Sequence, residues 1–313
     1  MAIPVVDLSE FSAGPRQKAD FVSALGKAYE EVGFVAVKNH GIPAATIAGL
    51  YANTKAFFSL PASIKEQYEI PDLAGQRGYT SFGKEHAKGS IAPDLKEFFQ
   101  FGQTVTDGDP ISREYPANVQ VQELPDFNLL FLQAYRSFEA SGTLLMRAIA
   151  LYLGLDEKYF DLYLHNGNSI LRAIYYPPIT AEPKSAIRAE QHEDINLITL
   201  LVGASADGLQ ILTKQNEWVP VTSLPDQIVV NVGDMLQRLT NDQLRSTTHR
   251  VVNPPREQWA TERFSIPFFL HPKSSMSLAS LPGCISALHP KAYPDATAGE
   301  YLDERLREIG LKK

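Results

Sequence analysis

The chain has 313 residues, of which 44% are hydrophobic and 21% charged, a composition typical of a folded globular protein and not of a disordered one. It carries 29 Lys and Arg against 36 Asp and Glu, a formal net charge of −7, so binding to nucleic acid through clustered cations is not expected. No apolar run approaches the roughly 20 residues that a membrane-spanning helix needs, and we expect no membrane partner.

Cysteine content and the N-terminal residues bear on the compartment. Cys284 is the only cysteine, which excludes an intramolecular disulfide and any metal site with several thiolate ligands. The opening residues, Met1 to Asp7, lack a basic segment followed by an apolar stretch, so we expect no secretion signal. A reducing, cytoplasmic setting fits both features. The sequence leaves the oligomeric state open.

Apolar side chains recur at helical or strand spacing along the first half of the chain. In order, they predict a strand at 3–8, a helix at 17–32, a strand at 33–37, a helix from 43 to about 58 and a long helix at 126–153. Residues 71–95 carry several glycines and prolines and are expected to form loops. The first half is therefore expected to mix helices and strands.

The second half changes to short β-prone segments separated by turn residues. They lie at 170–176, 195–202, 209–213, 218–222, 228–232, 249–252 and 264–270. Short strands at this spacing are typical of a sandwich or barrel. Helical spacing returns near the C-terminus, where Tyr301, Leu302, Leu306 and Ile309 share one face. We predict a mainly β fold with flanking helices, forming a single compact unit over residues 1–313.

The segment Gln191-His192-Glu193-Asp194 precedes one of the β-prone runs. In extended backbone His192 and Asp194 point the same way, because side chains alternate between the two faces of a strand. One further histidine would complete the set of two histidines and one carboxylate that non-haem Fe(II) oxygenases use, and His249 is the candidate. A His-x-Asp pair also arises by chance in many chains, so a structural role remains the alternative. The other histidines are interpreted as mostly surface or turn residues: His40, His86, His165, His271 and His289.

Arg263 and Ser265 show the same alternation, so the guanidinium and the hydroxyl point together. A planar fork beside a hydroxyl suits a carboxylate held in bidentate fashion. The pair follows His249 by about a turn and a strand, a separation that a small diacid could bridge. An arginine that pairs with a carboxylate of the protein itself is the alternative interpretation.

Together with other motifs in the same order, these residues resemble the iron-dependent dioxygenases related to isopenicillin N synthase and the plant 2-oxoglutarate oxygenases. The other motifs are Ile3-Pro4-Val5-Val6-Asp7-Leu8, Gly33-Phe34, Asn39-His40-Gly41-Ile42, Phe57-Phe58-x-Leu60-Pro61, Arg172 to Pro178, Gly208-Leu209-Gln210, Asn231-x-Gly233-Asp234 and Leu239-Thr240-Asn241. The resemblance covers nearly the whole chain. It implies a double-stranded β-helix (jelly-roll) catalytic core over residues 165–275 and an N-terminal mixed α/β region over residues 1–120.

The resemblance also implies roles for individual residues. The implied Fe(II) ligands are His192, Asp194 and His249. The implied contacts to the co-substrate 2-oxoglutarate are Arg263 and Ser265, which would hold its distal carboxylate, and the hydroxyl of Tyr176. The implied reaction consumes O2 and 2-oxoglutarate, releases succinate and CO2, and hydroxylates a small molecule.

Two positions depart from the plant pattern, and two other functions stay open. Ile174 stands where the plant enzymes commonly have Asn, and Asp242 replaces the usual glycine after Thr-Asn. The isopenicillin N synthase branch has a similar Arg-x-Ser pair yet uses no oxoacid, so an iron-dependent oxidative cyclase is one alternative. A catalytically silent metal-binding barrel is the other.

The substrate pocket is expected to be lined by the region 77–101, by Met235, Gln237 and Arg238, and by the segment after Leu270. The candidate pocket residues are Arg77, Phe101 and Arg238. With Lys84 and Lys88, the two arginines offer cations that could meet an anionic substrate, and Phe101 could form an apolar wall with Phe98 and Phe99. Solvated surface cations and core aromatic residues are the alternative interpretation. The segment from Asp94 to Glu97 is assigned no chemistry.

Overall fold

Seven α-helices and twelve strands are found in the residues that the computed structural model describes, which are 3–73, 75–86, 92–105, 108–203, 207–222, 224 and 226–308. The helices are α1 Pro15–Glu31, α2 Ala44–Phe58, α3 Ala62–Lys65, α4 Pro125–Tyr152, α5 Asp161–Leu164, α6 Asp234–Leu239 and α7 Ala298–Glu308. The strands are β1 Val5–Asp7, β2 Phe34–Lys38, β3 Gly78–Thr80, β4 Glu97–Gly102, β5 Ile170–Tyr176, β6 Ala189–His192, β7 Ile198–Val202, β8 Leu209–Leu212, β9 Trp218–Pro220, β10 Gln227–Val232, β11 His249–Val251 and β12 Arg263–Leu270.

The strands form two sheets that enclose a cavity. The larger sheet has eight strands in the order β1-β2-β10-β7-β12-β5-β4-β3, and the smaller has four in the order β6-β11-β8-β9. β1 and β2 pair in parallel, and the other pairs are antiparallel. Side chains from both sheets line the same cavity. The prediction of a mainly β fold with flanking helices is confirmed.

Alternation along β5 and β12 separates the hydrophobic core from this cavity. The core side chains of these strands are Leu171, Ala173, Phe264, Ile266, Phe268 and Leu270. The cavity side chains of the same strands are Ile170, Arg172, Ile174, Tyr176, Arg263, Ser265, Pro267 and Phe269. The two sets interleave residue by residue, so polar groups enter the barrel while the outer face stays apolar. Ile174 and Tyr176 share the cavity face, as their spacing predicts.

Helix α4 covers the apolar outer face of the large sheet. Its buried residues recur every three or four positions, and Phe127, Phe131 and Phe138 are fully buried, which is the stripe that a helix needs to pack on a sheet. The ring of Phe138 stacks on that of Phe268 with centroids 5.5 Å apart. α1 and α2 pack against α4 in turn. In the described part of the chain, no helix has both the length and the apolar composition needed to cross a bilayer.

Three strands differ from the sequence-based expectation, whereas the predicted helices and remaining strands are confirmed with ends shifted by a few residues. β3 lies within the stretch expected to form loops. β4 is buried on both faces over all six of its residues, so it lacks the polar alternation that signals a strand. β6 has the sequence Ala-Glu-Gln-His, which gives no hydrophobic signal. Ile309, expected on the last helix, lies outside the described residues.

The turn after α6 explains the aspartate that replaces a glycine. Asn241 and Asp242 have φ values of 49° and 67°, in the left-handed region that Asn and Asp tolerate better than most residues. The Tyr293 hydroxyl donates a hydrogen bond to the Asp242 carboxylate. The replacement therefore changes the chemistry of the turn without preventing its conformation.

Gly233 lies where the end of β10 passes closest to the segment after Asp194. Its N–H donates to the carbonyl of Leu197, and the N–H of Asp234 donates to the carbonyl of Asp194, both at 2.9 Å. A Cβ added at Gly233 would lie 2.1 Å from Oδ1 of Asn196 and 2.3 Å from its carbonyl oxygen. The close approach requires glycine, although its φ of −96° suits any residue.

We expect Gly233→Ala to lower the free energy of unfolding by about 1–3 kcal/mol, because the added methyl group overpacks this contact. Urea unfolding monitored by circular dichroism measures the change. Gly283→Ala is the matched control, since its Cβ would meet no atom of the described residues within 4 Å. Equal stability of the two variants would show that the backbone at Gly233 has room to move.

Candidate active site

The three residues predicted to bind metal come together in the smaller sheet, where β6 ends and β11 begins. His192 ends β6, Asp194 follows it, and His249 begins β11 directly opposite His192 in the antiparallel register. One ligand atom from each residue lies within 4.8 Å of the other two. Oδ1 of Asp194 is 3.8 Å from Nε2 of His192 and 3.6 Å from Nε2 of His249. Neighbouring ligands around one ion at roughly 2.1 Å stand about 3 Å apart, so the donor set suits a single metal ion.

Neighbouring groups orient all three ligands. Nδ1 of His192 lies 2.6 Å from the carbonyl of Glu190, and Nδ1 of His249 lies 3.1 Å from the carbonyl of Thr247. Each ring then keeps its Nε2 for the metal, because the carbonyl holds the proton on Nδ1. On Asp194, Oδ2 accepts hydrogen bonds from Thr199 Oγ1 at 2.6 Å and from Asn231 Nδ2 at 2.8 Å. Oδ1 is thus left facing the two histidines.

The surroundings of Asp194 and His192 favour the forms that bind metal, whereas Asp194, against the effect of burial, raises the pKa of His249. Burial opposes ionisation of Asp194, but His249, His192 and a hydrogen bond from Asn231 outweigh it, so the pKa of Asp194 lies below its ordinary value. Burial and the neighbouring His249 lower the pKa of His192. A carboxylate and a neutral imidazole are the states that ligation requires.

The metal-site residues line a cavity of about 650 Å³, a volume within the usual range for small-molecule sites. Its walls combine polar groups with apolar side chains. The apolar side chains include Phe34, Ile174, Leu201, Leu209, Val251 and Phe269. The cavity is large enough to hold a small substrate beside a dicarboxylic acid.

One end of the cavity carries buried positive charge. Arg263, only 1% exposed, lies opposite Tyr176 in the register of β12 and β5, with its guanidinium 4.9 Å from the centre of the ring. Ser265 lines the same wall. Behind it, burial and the charge of Arg263 lower the pKa of Arg188 to about 10. Nε of Arg188 is buried and has no hydrogen-bond partner among the described residues. Two guanidinium groups this close favour a bound carboxylate.

Sequence reasoning missed Arg188, because it lies on a different segment from Arg263 and far from it in the chain, so no spacing pattern connects the two. The arginine belongs to the turn that enters β6. Its Nη2 donates to the carbonyl of Thr261 at 2.7 Å, which ties that turn to the start of β12. Its complete burial is the signal, and only the fold shows it.

A second wall of the cavity is charged, although the sequence suggested no chemistry there. Lys96 contacts Glu85 at 2.7 Å and Asp94 at 2.8 Å, and Arg172 contacts Glu85 at 3.2 Å. All four side chains line the cavity. A lysine and a glutamate directly before the aromatic run of β4 are a signal of buried charge that sequence reasoning could have used.

The three residues that the sequence suggested for the substrate pocket lie in different places. Arg238 lines the cavity, between the rings of Tyr293 and Tyr301 at 5.2 and 5.3 Å. Arg77 and Phe101 do not line it. Phe101 points into the core because the neighbouring Gln100 takes the cavity face of β4. Arg77 is 1% exposed and its guanidinium lies flat over Gly102, whose Cβ would stand 1.9 Å from Arg77 Cζ. The expectation for these two residues is therefore corrected.

Of the other residues considered for the pocket, some line the cavity and some do not. Gln237 lines the cavity, but Met235 belongs to the core. Lys84 pairs with Glu69 at 2.8 Å and remains half exposed, and Lys88 lies outside the described residues. His86 and His271 line the cavity, which corrects their interpretation as surface or turn residues. Burial lowers the pKa of His271 to about 4, so this ring is neutral.

Comparison with known proteins identifies the family. A family model described as the 2OG-Fe(II) oxygenase superfamily matches residues 167–272, and one described as the N-terminal part of a non-haem dioxygenase in morphine synthesis matches residues 3–123. A proline hydroxylase from Petromyces alliaceus is 32% identical over 98% of this chain and 99% of its own. The chain belongs to the 2-oxoglutarate- and Fe(II)-dependent oxygenase superfamily.

Solved structures agree with this assignment. A 2OG-Fe(II) oxygenase family protein from Caulobacter crescentus has a TM-score of 0.89 and 40% identity to this oxygenase, covering 98% of it and 99% of the other chain. A full-length Neurospora crassa protein in complex with alpha-KG has a TM-score of 0.85 and 30% identity, with 97% and 96% covered. The predicted family and jelly-roll core are confirmed. This oxygenase is an oxidoreductase that uses Fe(II), 2-oxoglutarate and O2.

Asn231 provides a test of how the metal ligands are oriented. We expect Asn231→Ala to weaken Fe(II) binding by about 10- to 100-fold, because Asp194 loses one of the two hydrogen bonds that aim its Oδ1. Anaerobic titration with Fe(II), followed by calorimetry, measures the affinity. Asn53→Ala is the matched control, because the side chain of Asn53 donates to the carbonyl of Gly49 within helix α2. Unchanged affinity in Asn231→Ala would mean that Thr199 suffices to orient the carboxylate.

Proposed function

We propose that this oxygenase hydroxylates a small molecule while converting 2-oxoglutarate to succinate and CO2. The proposed Fe(II) ligands are His192, Asp194 and His249. The proposed 2-oxoglutarate contacts are Arg263, Ser265 and Tyr176. One C–H bond of the substrate becomes C–OH, one oxygen atom of O2 enters the alcohol, and the other enters succinate. The observation that carries the proposal is that the metal-binding atoms and the Arg263–Ser265 pair line one cavity.

The residues at the co-substrate end would bind, orient and dehydrate the oxoacid. Arg263 would pair with its distal carboxylate in bidentate fashion, and Ser265 would donate a hydroxyl hydrogen to it. The apolar cluster of Phe98, Ile174 and Val251 lies beside Tyr176 and would exclude water from this end. Bound Fe(II) would supply the activation of O2. Ile174, in place of an amide, makes this wall apolar.

We further propose that residues 165–275 form the catalytic core and residues 1–120 an N-terminal region that completes a single unit. Support comes from the large sheet, in which β2 pairs with β10 and β4 pairs with β5, while β1 and β3 extend the sheet beyond them. Gln100 on β4 also lines the cavity. The N-terminal region thus contributes to the site as well as to the fold.

We also propose that the enzyme works in the cytoplasm on free small molecules, without a nucleic-acid partner. The single cysteine and the net charge of −7 support this proposal. Two relatives suggest the first compounds to test, since one is a proline hydroxylase and the Neurospora crassa protein has been solved in complex with alpha-KG and thymine. Both compounds are small enough for a cavity of about 650 Å³.

We expect the purified protein, supplied with Fe(II) and 2-oxoglutarate and then exposed to O2, to form succinate slowly without added substrate. Arg263→Ala should raise the 2-oxoglutarate concentration for half-maximal rate at least about tenfold, because a buried charge-assisted pair is lost. Mass spectrometry of succinate measures both results.

Arg256→Ala, at an exposed position shortly before β12, is the control and should leave the requirement unchanged. An Arg263→Ala enzyme with the wild-type requirement would place the carboxylate elsewhere. Fe(II)-dependent O2 uptake without succinate would instead favour the oxoacid-independent oxidase.

Tyr176→Phe tests the smaller contact. We expect the dissociation constant of 2-oxoglutarate to rise about fivefold, since a single neutral hydrogen bond contributes about 1 kcal/mol. Calorimetric titration of the Fe(II)-loaded protein without O2 gives this constant. A complete loss of binding would show that Tyr176 also holds Arg263 in place.

A further inference from the structure

The charged wall of the cavity, formed by Glu85, Asp94, Lys96 and Arg172, has no net charge among the described residues. Lys96 and Arg172 are matched by Glu85 and Asp94, and all four side chains are at most 15% exposed. Although burial opposes the ionisation of Glu85, the charges of Arg172 and Lys96 lower its pKa to about 2. The wall is therefore two cations and two anions in direct contact.

Arg172 keeps one donor for a ligand. Its Nε donates to Gln100 Oε1 at 2.9 Å and its Nη1 to the Glu85 carboxylate at 3.2 Å. Nη2 has no partner in the described part of the chain, and the side chain lines the cavity. The guanidinium lies 4.2 Å from the ring centre of Phe98 and 5.2 Å from that of Phe269, which holds its plane in one orientation.

Arg172 lies away from the 2-oxoglutarate end and close to the metal ligands, whereas Lys96 of the same wall interacts electrostatically with Tyr176. Arg172 and Tyr176 share one face of β5 four residues apart, which corresponds to about 13 Å along a strand. Glu85 and Lys96 both interact electrostatically with His192. A ligand held by Arg172 would thus lie beside the metal site without competing with 2-oxoglutarate for Arg263.

The other charged side chains in this part of the cavity give no excess of positive charge. Two further arginines, Arg238 and Arg305, line the cavity, and so do three further carboxyl groups. Those carboxyl groups belong to Glu193, Asp234 and Glu308. A carboxylate that entered this part of the cavity would lose its hydration without meeting an uncompensated cation, which is costly. A neutral carbonyl oxygen would accept the hydrogen bond from Arg172 without that cost.

We propose that this wall selects a neutral substrate with a carbonyl oxygen, such as an amide, lactam or imide, over a carboxylate. This inference rests on the proposed function. Arg172 donates to the carbonyl oxygen, and Glu85 keeps the guanidinium from attracting an anion. Thymine meets this requirement and free proline does not. Of the two interpretations of the cations that the sequence offered, this proposal disfavours contact with an anionic substrate.

Matched pairs of carboxamides and carboxylates test the proposal. Benzamide with benzoate, nicotinamide with nicotinate, and pyrrole-2-carboxamide with pyrrole-2-carboxylate differ mainly in charge. Equilibrium dialysis without O2, using protein loaded with Fe(II) and saturating 2-oxoglutarate, measures their binding while the Arg263 end is blocked. In the wild type we expect each amide to bind at least about tenfold more tightly than its acid. Arg172→Gln should remove this binding.

Two charge variants separate electrostatics from shape. Glu85→Gln leaves Arg172 uncompensated and should shift the preference towards carboxylates by about tenfold or more. The double variant Glu85→Gln/Lys96→Met removes one charge of each sign and should keep the preference for amides. Circular dichroism melting shows whether each variant is folded, and the wild-type comparison stands without them.

Tighter binding of the acids by the wild type would overturn the proposal. So would an unchanged preference in folded Glu85→Gln, or no binding of any pair at millimolar concentration. Succinate formation that depends on Arg263 would still support the proposed function in each of these cases. Conversely, amide-selective binding by a protein that forms no succinate would contradict the proposed function alone.

Discussion

The two-residue alternation along β5 and β12 is the constraint on which the rest of the structure depends. It sends Phe264 and Phe268 outward into the helix-covered core and turns Arg263 and Ser265 into the cavity. Because a shift of one residue would exchange the two faces, the apolar core and the polar site specify each other's register. The stacking of α4 on Phe268 therefore helps to keep Arg263 inside.

Buried charge is compensated to different extents in the three parts of the cavity, and these differences predict which ligands each part binds. At the metal site, one carboxylate faces two imidazoles, a set that a divalent cation completes. At the co-substrate end, Arg263 lies close enough to Arg188 to lower its pKa, and a dicarboxylic acid relieves this repulsion. At the charged wall, Glu85 and Asp94 already compensate Lys96 and Arg172. The first two parts require charged ligands, whereas the third disfavours them.

Local patterns predicted the site well where a single strand carries the information. His192 and Asp194 lie two residues apart, as do Arg263 and Ser265, so alternation alone brings each pair together. Phe101 shows the limit of such reasoning. Both faces of β4 are buried, so composition could not show that Gln100 would take the cavity side and Phe101 the core.

The sequence by itself determined the family, the strand-rich core and the residues proposed to bind metal and co-substrate. Those features follow from short-range spacing and from motifs in a constant order. Only the tertiary structure decided which charges meet: Glu85 contacts Arg172 across 87 positions of the chain, and Arg188 lies beside Arg263. Charge balance in a cavity depends on distances between side chains from different strands, and no local pattern encodes those distances. The substrate preference therefore could be inferred only from the fold.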